Sequence, residues 1–154
     1  VTLELPRSEA GTPDFVHIER IVSDPKAIIY VRDDSGRYVW VNDAYGKYLP
    51  HSREQVIGKT NRELHGEEAS RTWEAADSLS MAADTFVVTP EQMFDERSRN
   101  WRKFVSTKIP IRAGGQRYLV GVSIEILDDN VIEYERRLGQ VRARLIEQMR
   151  VEDA

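Results

Sequence analysis

Trp101-Arg102-Lys103-Phe104-Val105-Ser106-Thr107-Lys108-Ile109-Pro110-Ile111 and Arg117-Tyr118-Leu119-Val120-Gly121-Val122-Ser123-Ile124-Glu125-Ile126 are two runs rich in β-branched and aromatic residues. Arg112-Ala113-Gly114-Gly115-Gln116 lies between them. Such side chains fit a pleated surface, and a Gly-containing turn joins two such runs into a hairpin. The helical pattern of Asn130–Arg150 follows, and no linker is expected between strand and helix. A strand that feeds a helix directly can pass a change in sheet packing to whatever the helix touches. That is a signalling geometry before it is a catalytic one.

Upstream, Thr85–Thr89 and Gln92–Phe94 read as a strand interrupted at Pro90, since proline removes a ladder donor and favours an edge. Glu67–Ala83 is the best interior helix, with Trp73, Ala76, Leu79, Ser80 and Ala83 near one face. Thr60–Leu64 and the segment opened by Ser52 are short turns of helix, and Ser52 with Gln55 has the capping-box pattern. Asn42 or Asp43 caps another short helix through Leu49. Ala27–Arg32 and Tyr38–Val41 are strands around the turn Asp33-Asp34-Ser35-Gly36. Phe15, Ile18, Ile21 and Val22 stand at helical spacing within Asp14–Ser23, a helix too short to be stable unless its apolar stripe docks. Val1–Pro13 reads as a loose leader. Two strands, several short helices, three strands and a long helix make an α+β domain.

The 154 residues suffice for one core with a helical extension. A hydrophobic content of 40% and a charged content of 31% are ordinary for a soluble domain. The net charge of -4 argues against a general nucleic-acid binder, which needs a basic face. No apolar run approaches the roughly 18–20 residues of a membrane span, so a cytoplasmic location is expected. A chain beginning at Val1 is expected to be a segment of a longer protein. The lack of cysteine excludes disulfides, thiolate metal sites and cysteine nucleophiles within the segment. His17, His51 and His65 show no metal-ligand spacing, and no nucleophile elbow or phosphate-cradling Gly-rich loop is present. The segment itself is not expected to be an enzyme.

Ala27-Ile28-Ile29-Tyr30-Val31, Asp34-Ser35-Gly36-Arg37, Tyr38-Val39-Trp40-Val41-Asn42 and Val56-Ile57-Gly58-Lys59-Thr60 form one ordered set. Lys108-Ile109-Pro110-Ile111-Arg112 and the strand from Tyr118 to Ile126 complete it. Together they resemble the PAS sensor domains over about Asp24–Asp128. The resemblance implies a five-stranded antiparallel sheet with short helices on one face, enclosing a pocket for a ligand. It divides the chain into a leader and N-terminal capping helix (1–23), a PAS domain (24–128) and a C-terminal linker helix (129–154). The family's last strand usually ends in Asp-Ile-Thr, whereas this chain has Glu125-Ile126-Leu127. Glu125 is expected to pair with a base there, and Asp128 or Asp129 to cap the helix.

Strand alternation puts Leu119, Gly121, Ser123 and Glu125 on one face, and Tyr118, Val120, Val122, Ile124 and Ile126 on the other. The resemblance turns the first face to the pocket, together with Phe104 and Ser106. Small Gly121 and polar Ser106 and Ser123 would leave room for a small polar ligand; a filled core with locally bonded hydroxyls is the alternative. Gly58-Lys59-Thr60-Asn61-Arg62 matches the Gly-x-x-Cys-Arg turn of the flavin photosensors, with Asn61 in place of the cysteine. Cysteinyl-flavin photochemistry is therefore excluded. Asn61 and Trp73 could still bond to and stack on a ring, so a non-covalent flavin or a small metabolite stays open. Haem-binding relatives use a histidine on the long interior helix; Trp73 lies near that position, so haem is not expected. His65 then reads as a surface residue and Met93 as packing.

The apolar face from Tyr118 to Ile126 needs a cover, and the Asp14–Ser23 helix is its natural one, from the same chain or a partner. Val131, Tyr134, Leu138, Val141 and Leu145 form a heptad seam, weakened by Gly139. It predicts a parallel coiled coil leading to an output domain, with a helix folded back on its own domain as the alternative. Met149–Ala154 resembles the lead-in to a diguanylate cyclase. The expectation is a sensory PAS domain that binds a small ligand, dimerises, or both, and signals through the C-terminal helix. Its homodimer would use the N-terminal helix, the sheet face and the C-terminal helix. A ligand-free dimerisation platform of a histidine kinase or transcription regulator is the alternative.

Overall fold

The chain, described by a computed structural model over residues 2–7, 9 and 11–151, begins with β1 (Thr2–Leu3), α1 (Val16–Val22), β2 (Ile28–Asp33) and β3 (Tyr38–Val41). Four helices follow: α2 (Asp43–Tyr48), α3 (Arg53–Val56), α4 (Asn61–His65) and α5 (Glu67–Ala83). Then come β4 (Val87–Asp95), β5 (Asn100–Ala113), β6 (Gln116–Glu125), α6 (Val131–Met149) and β7 (Arg150–Val151). The five long strands form one antiparallel sheet in the order β3-β2-β6-β5-β4. The hairpin β5–β6 turns on Gly114 and Gly115, whose φ of 61° and 81° are those a tight two-residue hairpin needs and glycine supplies. β4 runs unbroken through Pro90 rather than being interrupted there, and it does so at a sheet edge, where a missing N–H is tolerated.

Local side-chain chemistry starts the short helices. Ser52 and Gln55 close a full capping box on α3, Asn42 accepts the Tyr45 N–H at 3.1 Å to cap α2, and Thr60 caps α4. Asn42 also accepts the Ile29 N–H at 3.0 Å and donates to the Ala27 carbonyl at 2.9 Å, tying α2 to β2. On α5, Ser70, Trp73, Asp77 and Ser80 turn inward, while Leu79 is 58% exposed. The expected face, which included Leu79, is rotated because the interior offers α5 polar partners: the Ser80 hydroxyl donates to the carbonyls of Thr85 and Lys108.

The outer face of the sheet carries the larger core. Ile29, Val31, Val105, Ile109, Val120, Val122 and Ile124 pack under Ile18, Ile21 and Val22 of α1 and under Tyr134, Leu138, Val141, Leu145 and Met149 of α6. From Tyr134 onward the heptad seam is thus covered within the chain, only Val131 of the expected set staying exposed, and the fold-back arrangement replaces the expected parallel coiled coil. The physical reason is area. A seven-residue α1 cannot cover a five-stranded apolar face, so α6 lies beside it. Arg137 bonds Asp24 at 2.5 and 3.1 Å, and Arg144 donates to the Val22 carbonyl at 2.8 Å, joining the two helices.

Folding back requires a turn, so α6 does not follow β6 without a linker. Ile126–Asn130 reverses the chain: Asp128 accepts the Asn130 N–H at 2.9 Å and the Tyr134 hydroxyl accepts the Leu127 N–H at 3.2 Å. Asn130 holds the N-cap position with no side-chain bond, so neither Asp128 nor Asp129 caps the helix. The leader is docked rather than loose: β1 pairs with β7, and Leu3 and Leu5 are buried in the same core. Among the described residues no helix is long and apolar enough to cross a membrane.

Candidate functional site

On β2 the pleat turns Ile29 and Val31 to the outer core and Ile28, Tyr30 and Arg32 inward. On β5 the inward set is Phe104, Ser106 and Lys108. Ile28, Tyr30, Arg32, Phe104 and Lys108, with side chains of α2, α4 and α5, surround a cavity of about 80 Å³. Asn61, Trp73, Phe104 and Ser123 all line it. Ser106 and Gly121 stop short of it. The Ser106 hydroxyl is fully buried and bonds the Ser123 hydroxyl at 2.6 Å, directly across the β5–β6 ladder. Gly121 leaves its space to a side chain: the Tyr30 ring crosses above it, and a Cβ at position 121 would lie 2.0 Å from the ring.

Crossing Gly121 brings the Tyr30 hydroxyl to Lys108, whose ammonium donates to it at 2.5 Å. Lys108 is 1% exposed, and its other partners are Glu91 at 3.1 Å and Asp77 at 3.4 Å. Arg32, 3% exposed, pairs with Asp77 and donates to the Tyr38 hydroxyl at 3.0 Å; Tyr38 in turn donates to Asn61 at 2.7 Å. The guanidinium also stands over the Tyr30 and Tyr38 rings, 4.7 and 5.1 Å from their centroids. Two cations and two carboxylates thus share one buried network. Burial works against both positive charges, but Tyr30, Glu91 and Asp77 around Lys108, and Tyr38 and Asp77 around Arg32, hold both pKa values above their ordinary range. Burial also pushes the Tyr30 and Tyr45 hydroxyls up, so both stay protonated.

His65 is not simply a surface residue. It lines the cavity, with its ring 5.2 Å from His51 and 5.0 Å from Trp73. Burial, helped by His51 and Arg32, lowers its pKa to about 4. Met93 also lines the cavity. Among the described residues no group of three or more His, Cys, Asp or Glu is placed to hold a metal ion. A flavin does not fit: pockets for ligands of that size run to about 300–1,000 Å³, and the Tyr30 ring crosses the centre of the sheet.

The charged wall was missed by sequence reasoning, although a signal existed. Continuing the alternation from Phe104 and Ser106 reaches Lys108, and the same parity on the otherwise apolar β2 reaches Arg32. Their partners had no such signal, because Asp77 and Glu91 come from separate elements.

A five-stranded sheet with a small cavity of mixed aromatic, apolar and polar lining under short helices, and a further helix on its outer face, defines an α+β module. The family model described as PAS fold matches residues 22–129, and the chain belongs to that family. No curated protein matches the sequence. Among solved structures, the LOV protein of Rhodobacter sphaeroides is 17% identical with a TM-score of 0.59, covering 86% of this chain and 82% of its own. The PAS domain of a Colwellia psychrerythraea protein is 17% identical with a TM-score of 0.58, covering 73% of this chain and 98% of its own. An RNA-binding light-oxygen-voltage receptor is 20% identical with a TM-score of 0.58; the match covers 93% of this chain but only 41% of the receptor. These likenesses concern the fold.

Proposed function

We propose that this PAS domain senses a small, uncharged polar molecule in the cavity and passes its presence through the sheet to α6 and an output domain beyond it. The supporting observation is the buried network. Arg32, Lys108, Asp77 and Glu91 already balance one another, so a ligand with net charge would be desolvated without a free counter-charge. A neutral ligand can bond the hydroxyls and amide of Tyr30, Tyr38, Asn61 and Ser123 instead. The size of the cavity, about 80 Å³, suits a ligand of few heavy atoms. Alternate residues of β5 and β6 face the cavity and α6, so a shift of these strands acts on both layers. Homodimerisation belongs to the same reading. Diguanylate cyclase is the output class suggested by Met149–Ala154, of which 152–154 lie outside the described residues.

Native mass spectrometry with an absorption spectrum of the purified chain, followed by thermal-shift measurements with small neutral and anionic metabolites, tests the proposal. A neutral compound should raise Tm and slow hydrogen exchange in α6. Polypeptide mass alone, with no compound raising Tm, would favour the second reading, a ligand-free dimerisation platform. The observation favouring that reading is the same internal neutralisation, which completes the core without a guest.

A further inference from the structure

The flank of α6 beside the buried seam, on the side of the β4 edge, carries a second pattern. At about 100° per residue, Ile132, Glu135, Gly139, Arg142 and Ile146 fall within a stripe about 80° wide. Ile132 is 80% exposed; Ile146 is half-buried, with part of its side chain packed on the chain's own outer core. Glu135 and Arg142 are exposed. Their neighbours Arg136 and Arg137 pair with Glu133 and Asp24, but Glu135 and Arg142 make no ion pair among the described residues.

No steric contact among the described residues requires a glycine at position 139. Glycine weakens a helix interior, and a Cβ built at this position meets nothing within 4 Å. It lines a groove of about 200 Å³ between α6 and the β4 edge, with Val88 and Thr107 on the opposite side. The Thr107 hydroxyl is buried there without a hydrogen-bond partner among the described residues, although buried polar groups are nearly always paired.

The stripe is complementary to itself. Ile132 and Ile146 stand seven residues before and after Gly139, Glu135 four before and Arg142 three after. We infer that α6 docks antiparallel on α6 of a second copy, with the two Gly139 positions at the closest approach. A two-fold axis there sets Ile132 on the partner's Ile146 and Glu135 on the partner's Arg142, each contact made twice. A parallel pair would instead oppose like charges at both positions, which charge complementarity disfavours. The interface leaves the Tyr134–Met149 seam buried in its own chain. It deepens the homodimer part of the function proposed above and rests on it; the cavity does not enter. The C-terminal ends of the two helices, each ten residues beyond the axis at Gly139, then lie about 30 Å apart along the pair.

Sedimentation equilibrium on the full chain tests the surface. Glu135→Arg and Arg142→Glu should each weaken self-association at least about tenfold, while their equimolar mixture forms a heterodimer and the double reversal restores the homodimer. A wild-type chain that stays monomeric overturns this inference and the homodimer reading together. A dimer indifferent to both single reversals overturns this inference alone. Because the chain contains no cysteine, direction can be read by disulfide trapping: Ile132→Cys should cross-link with Ile146→Cys when the two are mixed. Ready cross-linking of Ile132→Cys with itself overturns the antiparallel arrangement.

Discussion

Lys108 and Arg32 are among the least solvated residues of the protein, and both are charged. Removing a partner from a buried ion network costs more than the network contributes, because the remaining charge is stranded. Lys108→Met leaves Glu91 and Asp77 facing a thioether, so unfolding stability should fall by about 3–5 kcal/mol in a urea titration. A loss below about 1 kcal/mol would mean that water reaches the network and already screens it. His65 carries a pH dependence of known sign. Its folded pKa of about 4 lies below the unfolded value of about 6.5, so the unfolded chain takes up a proton first as pH falls. Stability is therefore unaffected above about pH 6.5, declines from there to about pH 4, and levels off below. With the ring partly solvated, the difference between pH 7 and pH 5 should be about 1 kcal/mol, and His65→Gln should remove it. Equal slopes for wild type and variant in denaturation at the two pH values would contradict this. Both residues show what was legible and what was not. The parity of Lys108 could be read from the strand, whereas its carboxylates and the cavity at His65 could not.

At the scale of elements, turn and cap chemistry did most of the work. Gly114-Gly115, Ser52 with Gln55, and Asn42 act within a few residues of themselves, so the hairpin, α3 and α2 were readable directly. The interior face of α5 was not, because hydrophobic spacing cannot register a helix that turns Asp77 and Ser80 inward to meet charge and carbonyl groups. Neither was the packing of the first residues, since β1 exists only where β7 returns to pair with it. The N-terminal segment now has a measurable role. Deleting 1–23 removes Leu3, Leu5, Ile18, Ile21 and Val22 from the outer core, buried side chains worth about 1.5–3 kcal/mol each. The shortened chain should aggregate or change its oligomeric state; an unaltered sedimentation profile would show that α6 alone can cover the sheet.

In the whole molecule, one sheet separates two cores of different chemistry. The outer core is aliphatic and shared with both terminal helices; the inner one is aromatic and charged and encloses the cavity. The amino-acid sequence by itself determined the order of strands and helices between α1 and α6, the hairpin, the inward and outward faces of β6 and the PAS family, because periodicity, caps and turns act over short spans. Only the tertiary structure decided that α6 lies on its own sheet, that Tyr30 crosses Gly121, and that Lys108 and Arg32 are neutralised from α5 and β4. Those outcomes depend on residues 78 and 45 positions apart meeting, as Lys108 does Tyr30 and Asp77 does Arg32. They also depend on how much apolar area a short helix leaves uncovered, which no local pattern encodes.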